Sequence, residues 1–143
     1  MDKKQIGIWL DQKQAYLIQL HPTKTEVQHV PSNIEDYHVV GGARSKVPWG
    51  PMDKVSEKKA LERRKHQFQQ YFQALLQLAQ TADELYLFGP AVTKHKFQQM
   101  IETQVTNGPV IHLVENADKM TERQMIAQVR QAFGRELPRF SPP

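Results

Sequence analysis

The first third of the chain contains three short apolar runs that predict β-strands. Residues 6–10 and 15–20 are rich in β-branched and aromatic side chains, and a polar stretch of turn length separates them, which predicts a β-hairpin. Residues 26–30 alternate between polar and apolar side chains and fit a further antiparallel strand, which Pro31 ends. The domain is therefore expected to begin with an antiparallel sheet.

Helical spacing dominates the middle of the chain. Large apolar side chains recur at intervals of three and four residues between 56 and 81, and Ser56 is the predicted N-cap of this helix. The stripe consists of Leu61, Phe68, Phe72, Leu75, Leu76 and Ala79. Because it is dense only in the second half, we expect that half to pack on a core and the first half to project beyond it.

Strands and helices alternate in the remaining chain. The nearly continuous apolar runs at 84–88 and 110–114 are typical of strands buried on both faces. Helices are predicted over 93–104 and 121–133. The order β-β-β-α-β-α-β-α predicts an α/β fold, with a mixed β-sheet of antiparallel N-terminal strands and later alternating β-α units, covered by helices.

A stretch rich in glycine and proline interrupts this pattern. Residues 41–55 show little periodicity, and a loop of this length inside a compact domain is typically functional or disordered. We expect a mobile basic loop over about 41–55, within a single α/β domain that covers residues 1–134. The proline-containing tail, residues 135–143, is expected to be flexible.

Positive charge is concentrated in one segment. The chain carries 19 Lys and Arg against 15 Asp and Glu, a net charge of +4. Residues 44–66 hold eight basic and three acidic side chains, which gives +5, so the other 120 residues sum to −1. A localised basic stretch indicates a polyanionic partner, either nucleic acid or an anionic surface. The alternative is a solvated helix face with intrahelical ion pairs.

Composition and motifs exclude several classes of chemistry. The chain has no cysteine, which excludes disulfides, thiolate metal sites and cysteine nucleophiles. No apolar run approaches the roughly 20 residues of a membrane span, and no secretory signal is evident, so we expect a cytoplasmic protein without membrane contact. Neither nucleotide-binding glycine motifs nor a nucleophile elbow occur, and the six histidines are scattered. We therefore predict no catalytic residue, no metal site and no cofactor.

The candidate site combines a Gly-Gly pair with the basic residues that follow it. Adjacent glycines either allow a close backbone approach to a ligand or form an ordinary tight turn. Basic side chains neutralise phosphates, and Trp49 either stacks on an unpaired base or anchors the loop to the body of the domain. The predicted RNA-binding residues are Gly41, Gly42, Arg44, Lys46, Trp49, Lys54, Lys58, Lys59, Arg63, Arg64 and Lys65.

These elements together resemble the middle domain of the eukaryotic and archaeal class-one peptide chain release factors and of Pelota. The likeness covers about residues 5–134. The matching parts are the opening hairpin (6–20), Gly41-Gly42 at the place of the Gly-Gly-Gln loop, the helix over 57–80 with Glu62-Arg63-Arg64-Lys65-His66, and the strand 85–89 that ends in a glycine turn. The resemblance implies a stand-alone, bacterial-type relative of that domain, which binds the large ribosomal subunit, tRNA or rRNA.

Ala43 stands where the release factors carry glutamine, the residue tied to hydrolysis of the peptidyl-tRNA ester. We therefore expect a translation-associated RNA-binding factor rather than an enzyme. Two alternatives are a protein-interaction module whose basic helix docks an acidic partner, and a peptidyl-tRNA ester hydrolase that uses backbone N–H groups of the loop and a positioned water.

Overall fold

The computed structural model of the protein describes residues 3–36 and 51–134, with the side chains of the second range described from residue 55 onward. The elements are β1 (Gln5–Leu10), β2 (Gln14–Leu20), β3 (Thr25–Pro31), α1 (Pro51–Ala79), β4 (Glu84–Gly89), α2 (Thr93–Gln104), β5 (Val110–Asn116) and α3 (Glu122–Ala132). The predicted α/β class is confirmed.

The strands form one mixed sheet in the order β3-β2-β1-β4-β5. Strand β1 is antiparallel to β2, and β2 is antiparallel to β3, as the hairpin pattern predicts. Strands β1, β4 and β5 are parallel to one another. The carboxyl ends of these parallel strands therefore lie along the same edge of the sheet.

Helices cover both faces of the sheet. Neighbouring residues of a strand point to opposite sides, so the central strands place apolar side chains on each face. Ile8 and Trp9, for example, are both fully buried, one on each face. One cluster, against α1 and α2, includes Ile8, Leu17, Leu75, Leu87 and Phe97, and the other, against α3, includes Trp9, Ile18, Phe88, Met125 and Val129. Burial on both faces explains the continuous apolar run of β4, which the sequence predicts correctly.

Strand β5 is not buried on both faces, contrary to the prediction for residues 110–114. It lies at the edge of the sheet, where Val110 is 65% exposed and Leu113 is 40% exposed. Helix α3 packs over β1 and β2 instead. An apolar run indicates strand structure, but it does not tell an edge strand from a central one.

Helix α1 begins five residues earlier than predicted, at Pro51 rather than Ser56. Proline favours the first helical position, because its fixed φ suits the helix and its missing N–H is not needed there. Residues 51–55 therefore belong to the helix and not to the predicted loop, and Ser56 is not the N-cap. The rest of that loop and the predicted tail lie outside the described residues, and both stay predictions.

Helix α3 approaches the sheet closely at Gly7. A Cβ atom on Gly7 would lie 2.3 Å from Cγ2 of Val129. We expect Gly7→Ala to lower the free energy of unfolding by about 1–3 kcal/mol, because the core has to yield to the added methyl group. Urea denaturation followed by circular dichroism measures this loss. In a Val129→Ala background the same substitution should cost clearly less, and an equal cost in both backgrounds would exclude this contact as the cause.

Candidate functional site: a basic helical arm

The N-terminal half of α1 extends past the carboxyl end of β1. Tyr71 marks the boundary: its ring is buried, and its hydroxyl donates a 3.0 Å hydrogen bond to the carbonyl of Asp11, directly after that strand. From Tyr71 onward the helix buries one face on the sheet, whereas every side chain of residues 55–70 is exposed or half-buried. These sixteen residues, here called the basic arm, span about 24 Å.

The basic arm carries a net positive charge. Its charged side chains are Lys58, Lys59, Arg63, Arg64 and Lys65 against Glu57 and Glu62, a net charge of +3. The three lysines are exposed, and none forms an ion pair with another described residue. The intrahelical pairs that would neutralise this face are therefore not found in the described part of α1.

A short segment after β3, residues 32–36, crosses to the basic arm and is here called the strap. Its start is fixed to the β1–β2 turn, since the Ser32 amide donates to the Lys13 carbonyl at 2.9 Å and the Ser32 hydroxyl donates to the Gln12 carbonyl at 2.6 Å. Ile34 packs against the core below α1. The strap is thus held independently of its contact with the arm.

Glu35 joins the strap to the arm through a set of contacts here called the Glu35 clasp. Arg63 donates from Nε to Oε2 at 3.2 Å and from Nη2 to Oε1 at 3.1 Å. Gln67 accepts from the Glu35 amide at 3.0 Å and donates to Oε2 at 3.2 Å, and Arg64 Nε donates to the Glu35 carbonyl at 3.0 Å. Hydrogen bonding from Arg63 lowers the pKa of the Glu35 carboxyl below its usual value of 4.5.

Helix α2 adds a cation to this surface that the sequence does not indicate. Lys96 Nζ and Arg64 Cζ each lie 5.8 Å from the centroid of the Phe68 ring, so both cations adjoin the same aromatic side chain. The contact between Phe72 and Phe97, with centroids 5.5 Å apart, holds the two helices together. Only the spatial neighbourhood of α1 and α2 shows that Lys96 extends the charge of the arm.

Lys94 has a different, structural environment. Its side chain is fully buried and donates to the carbonyl of Ala91, and burial lowers the pKa of its amine. This hydrogen bond stabilises the β4–α2 turn, where Gly89 (φ 146°) and Ala91 (φ 55°) both have positive φ. A Cβ atom on Gly89 would also lie 2.2 Å from the Leu10 carbonyl oxygen, so glycine is required there. Lys94 is therefore not part of the exposed charge.

Helix α1 brings a subset of the predicted site residues together. Those on the basic arm are Lys58, Lys59, Arg63, Arg64 and Lys65. Lys54 lies in the first turn of α1, and its side chain is outside the described residues, as are Gly41, Gly42, Ala43, Arg44, Lys46 and Trp49. For these positions the sequence predictions stay predictions. The sequence did not assign Glu35, Phe68 or Lys96 to the site, although it placed Phe68 in the apolar stripe of this helix.

Two further properties of the described residues concern metal binding and membrane insertion. Over 3–36 and 55–134, no three His, Asp or Glu side chains come together in a way that would hold a metal ion. None of the helices in those ranges combines the length and the apolar character needed to cross a membrane.

No protein-family model matches the chain, and no curated protein matches its sequence. One solved structure that it matches is the crystal structure of an archaeal translation termination factor, with 16% sequence identity and a TM-score of 0.39. The match covers 92% of this chain but only 39% of the other. A TM-score this low carries no argument about function.

The lowered pKa of Glu35 predicts how the clasp responds to acid. A carboxylate whose pKa is depressed in the folded state stabilises that state above its unfolded pKa, and the effect disappears as pH falls through the folded pKa. We therefore expect the clasp to persist at neutral pH and to open only below about pH 4.5, the usual carboxyl value. NMR titration of the Glu35 carboxyl carbon and the Arg63 Nε–H group measures this. In Arg63→Gln, Glu35 should titrate at higher pH, and an unchanged midpoint would contradict the assignment.

Proposed function

We propose that the chain binds structured RNA, in particular ribosomal RNA of the large subunit, through the basic arm. The observation that carries this proposal is the set of exposed lysines on a helix that extends past the sheet edge, unpaired within the described structure. Lysine side chains neutralise phosphates without reading base sequence, so such a surface recognises the path of a nucleic-acid backbone.

The spacing of the cations favours an extended polyanion over a small anion. Lys58 and Lys65 are seven residues apart, which places them on the same face of α1 at a separation of about 10 Å along its axis. Lys96 adds positive charge beside Phe68, farther toward the body of the domain. A pocket for a single phosphate needs converging donors, whereas Lys58 and Lys65 are spread along the helix. This spread suits separate phosphates of one backbone.

The resemblance in element order to the release-factor middle domain makes the ribosome the first partner to test. The substitution at Ala43 argues against a role in ester hydrolysis, so the proposal is a binding function in translation and not termination. Docking of an acidic protein is the second candidate, because Arg63 already binds a carboxylate, that of Glu35. Nuclease treatment distinguishes the two partners, because it destroys RNA and leaves an acidic protein intact.

The proposal predicts that Lys58→Gln/Lys65→Gln weakens ribosome binding. Each phosphate contact contributes about 0.7–0.9 to the slope of log affinity against log salt, so this slope should fall by about 1.5. Co-sedimentation with ribosomes and separated subunits across a salt series measures it. These lysines are better targets than Arg63 and Arg64, because both arginines also hold the strap.

The matched control is Lys3→Gln/Lys119→Gln, which removes the same charge away from the basic arm, at two exposed lysines that form no ion pair with a described residue. This variant should bind like the wild type. Equal losses in both variants, or no sedimentation of the wild type at any salt, would contradict the proposal. A pull-down that recovers an acidic protein after nuclease treatment would favour the second candidate. Peptide release from peptidyl-tRNA by the pure protein would instead favour the peptidyl-tRNA ester hydrolase.

A further inference from the structure

We infer that Glu35 competes internally with RNA for the Nε and Nη2 donors of Arg63, so that a phosphate has to displace the Glu35 carboxylate before it binds this pair of donors. The inference rests on the proposed function and adds a regulatory step to the same surface. Its basis is the geometry of the clasp, in which two hydrogen bonds of 3.1 and 3.2 Å join the guanidinium to both carboxylate oxygens.

The Glu35 carboxylate occupies the donors that a phosphate would use. A guanidinium binds carboxylate and phosphate groups with the same two-point geometry, since both present a pair of oxygen acceptors at similar spacing. Nε and Nη2 of Arg63 are both engaged by Glu35. A phosphate that approaches the arm therefore meets three lysines that have no ion pair within the described residues, Lys58, Lys59 and Lys65. It also meets Arg63, whose Nε and Nη2 are engaged by Glu35.

The exchange needs no unfolding of the surrounding structure. The Arg63 side chain is 58% exposed and that of Glu35 is 34% exposed, so both are reached from solvent. The strap keeps its backbone position when this pair opens, because Ser32 and Ile34 anchor it elsewhere and Gln67 binds the Glu35 amide. Solvent-exposed ion pairs contribute little to stability, which makes replacement of one anion by another feasible.

The arrangement discriminates between polyanions and single anions. A lone phosphate that replaces Glu35 exchanges one ion pair for another and gains little. A backbone already held by the lysines presents its next phosphate at high local concentration, so the exchange becomes favourable only for a ligand with several phosphates. The clasp thus lowers binding of small anions to the arm without removing a cation needed for RNA.

The test is Glu35→Gln, which keeps the shape of the side chain and removes its charge. We expect the affinity for a structured fragment of large-subunit ribosomal RNA to rise by about two- to fivefold, the range that corresponds to release of an exposed ion pair. The matched control is Glu62→Gln, which removes the same charge from the arm itself, where Glu62 forms no ion pair with a described residue. This control should raise affinity less.

A double-mutant cycle separates displacement from general charge effects. In an Arg63→Gln background, Glu35→Gln should give no larger gain than Glu62→Gln, because no guanidinium remains to be released. Equal gains from the two substitutions in the wild-type background, or a full gain from Glu35→Gln without Arg63, would overturn the inference. A loss of affinity in Glu35→Gln would also overturn it, since the clasp would then support binding.

The two levels of the proposal fail in different ways. The proposed function fails when the wild type does not bind RNA, or when Lys58→Gln/Lys65→Gln binds as well as the wild type. The inference alone fails when the lysine variant loses affinity but Glu35→Gln behaves like Glu62→Gln. Circular dichroism of each variant shows whether the fold is retained. In the variants that keep Arg63, its Nε–H resonance shows whether the clasp has opened.

Discussion

Packing of the C-terminal half of α1 against the sheet fixes the position of the basic half of the same helix. Tyr71, Leu75 and Ala79 are buried there, and each large apolar side chain contributes roughly 1.5–3 kcal/mol by its removal from water. The exposed contacts of the arm are individually far weaker. The core therefore sets the direction of the arm, and with it the positions of the charged residues.

The sequence predicts the elements well, because their hydrophobic periods are strong. The alternation of β3 and the continuous run of β4 specify both strands, and the thinning of the apolar stripe before Phe68 indicates that α1 leaves the core. The wrong predictions concern where an element lies or begins, and not whether it is a strand or a helix. Strand β5 is apolar but lies at an edge, and α1 starts at Pro51, where a Gly- and Pro-rich context obscures the first helical turn.

The candidate site is only partly predictable from the sequence. Its basic residues lie close together along the chain, but the residues that they contact lie far away in the sequence. The lysines of the arm follow directly from the basic run. Glu35 reaches Arg63 across 28 positions, and Lys96 meets Phe68 across another 28. No periodicity or motif marks these pairs. They arise because β3 ends beside the middle of α1 and because α2 packs on the same face of the sheet as α1.

NMR mapping of RNA contacts tests the central claim most directly. Isotope-labelled protein is titrated with a structured fragment of large-subunit ribosomal RNA while the backbone and lysine side-chain resonances are followed. We predict salt-sensitive shifts that are concentrated on residues 55–66 of α1 and on Lys96, with little change along β5 and α3. Shifts centred on α3 or on the β5 edge, or no shifts at low salt, would contradict the assignment of the basic arm as the RNA-binding surface.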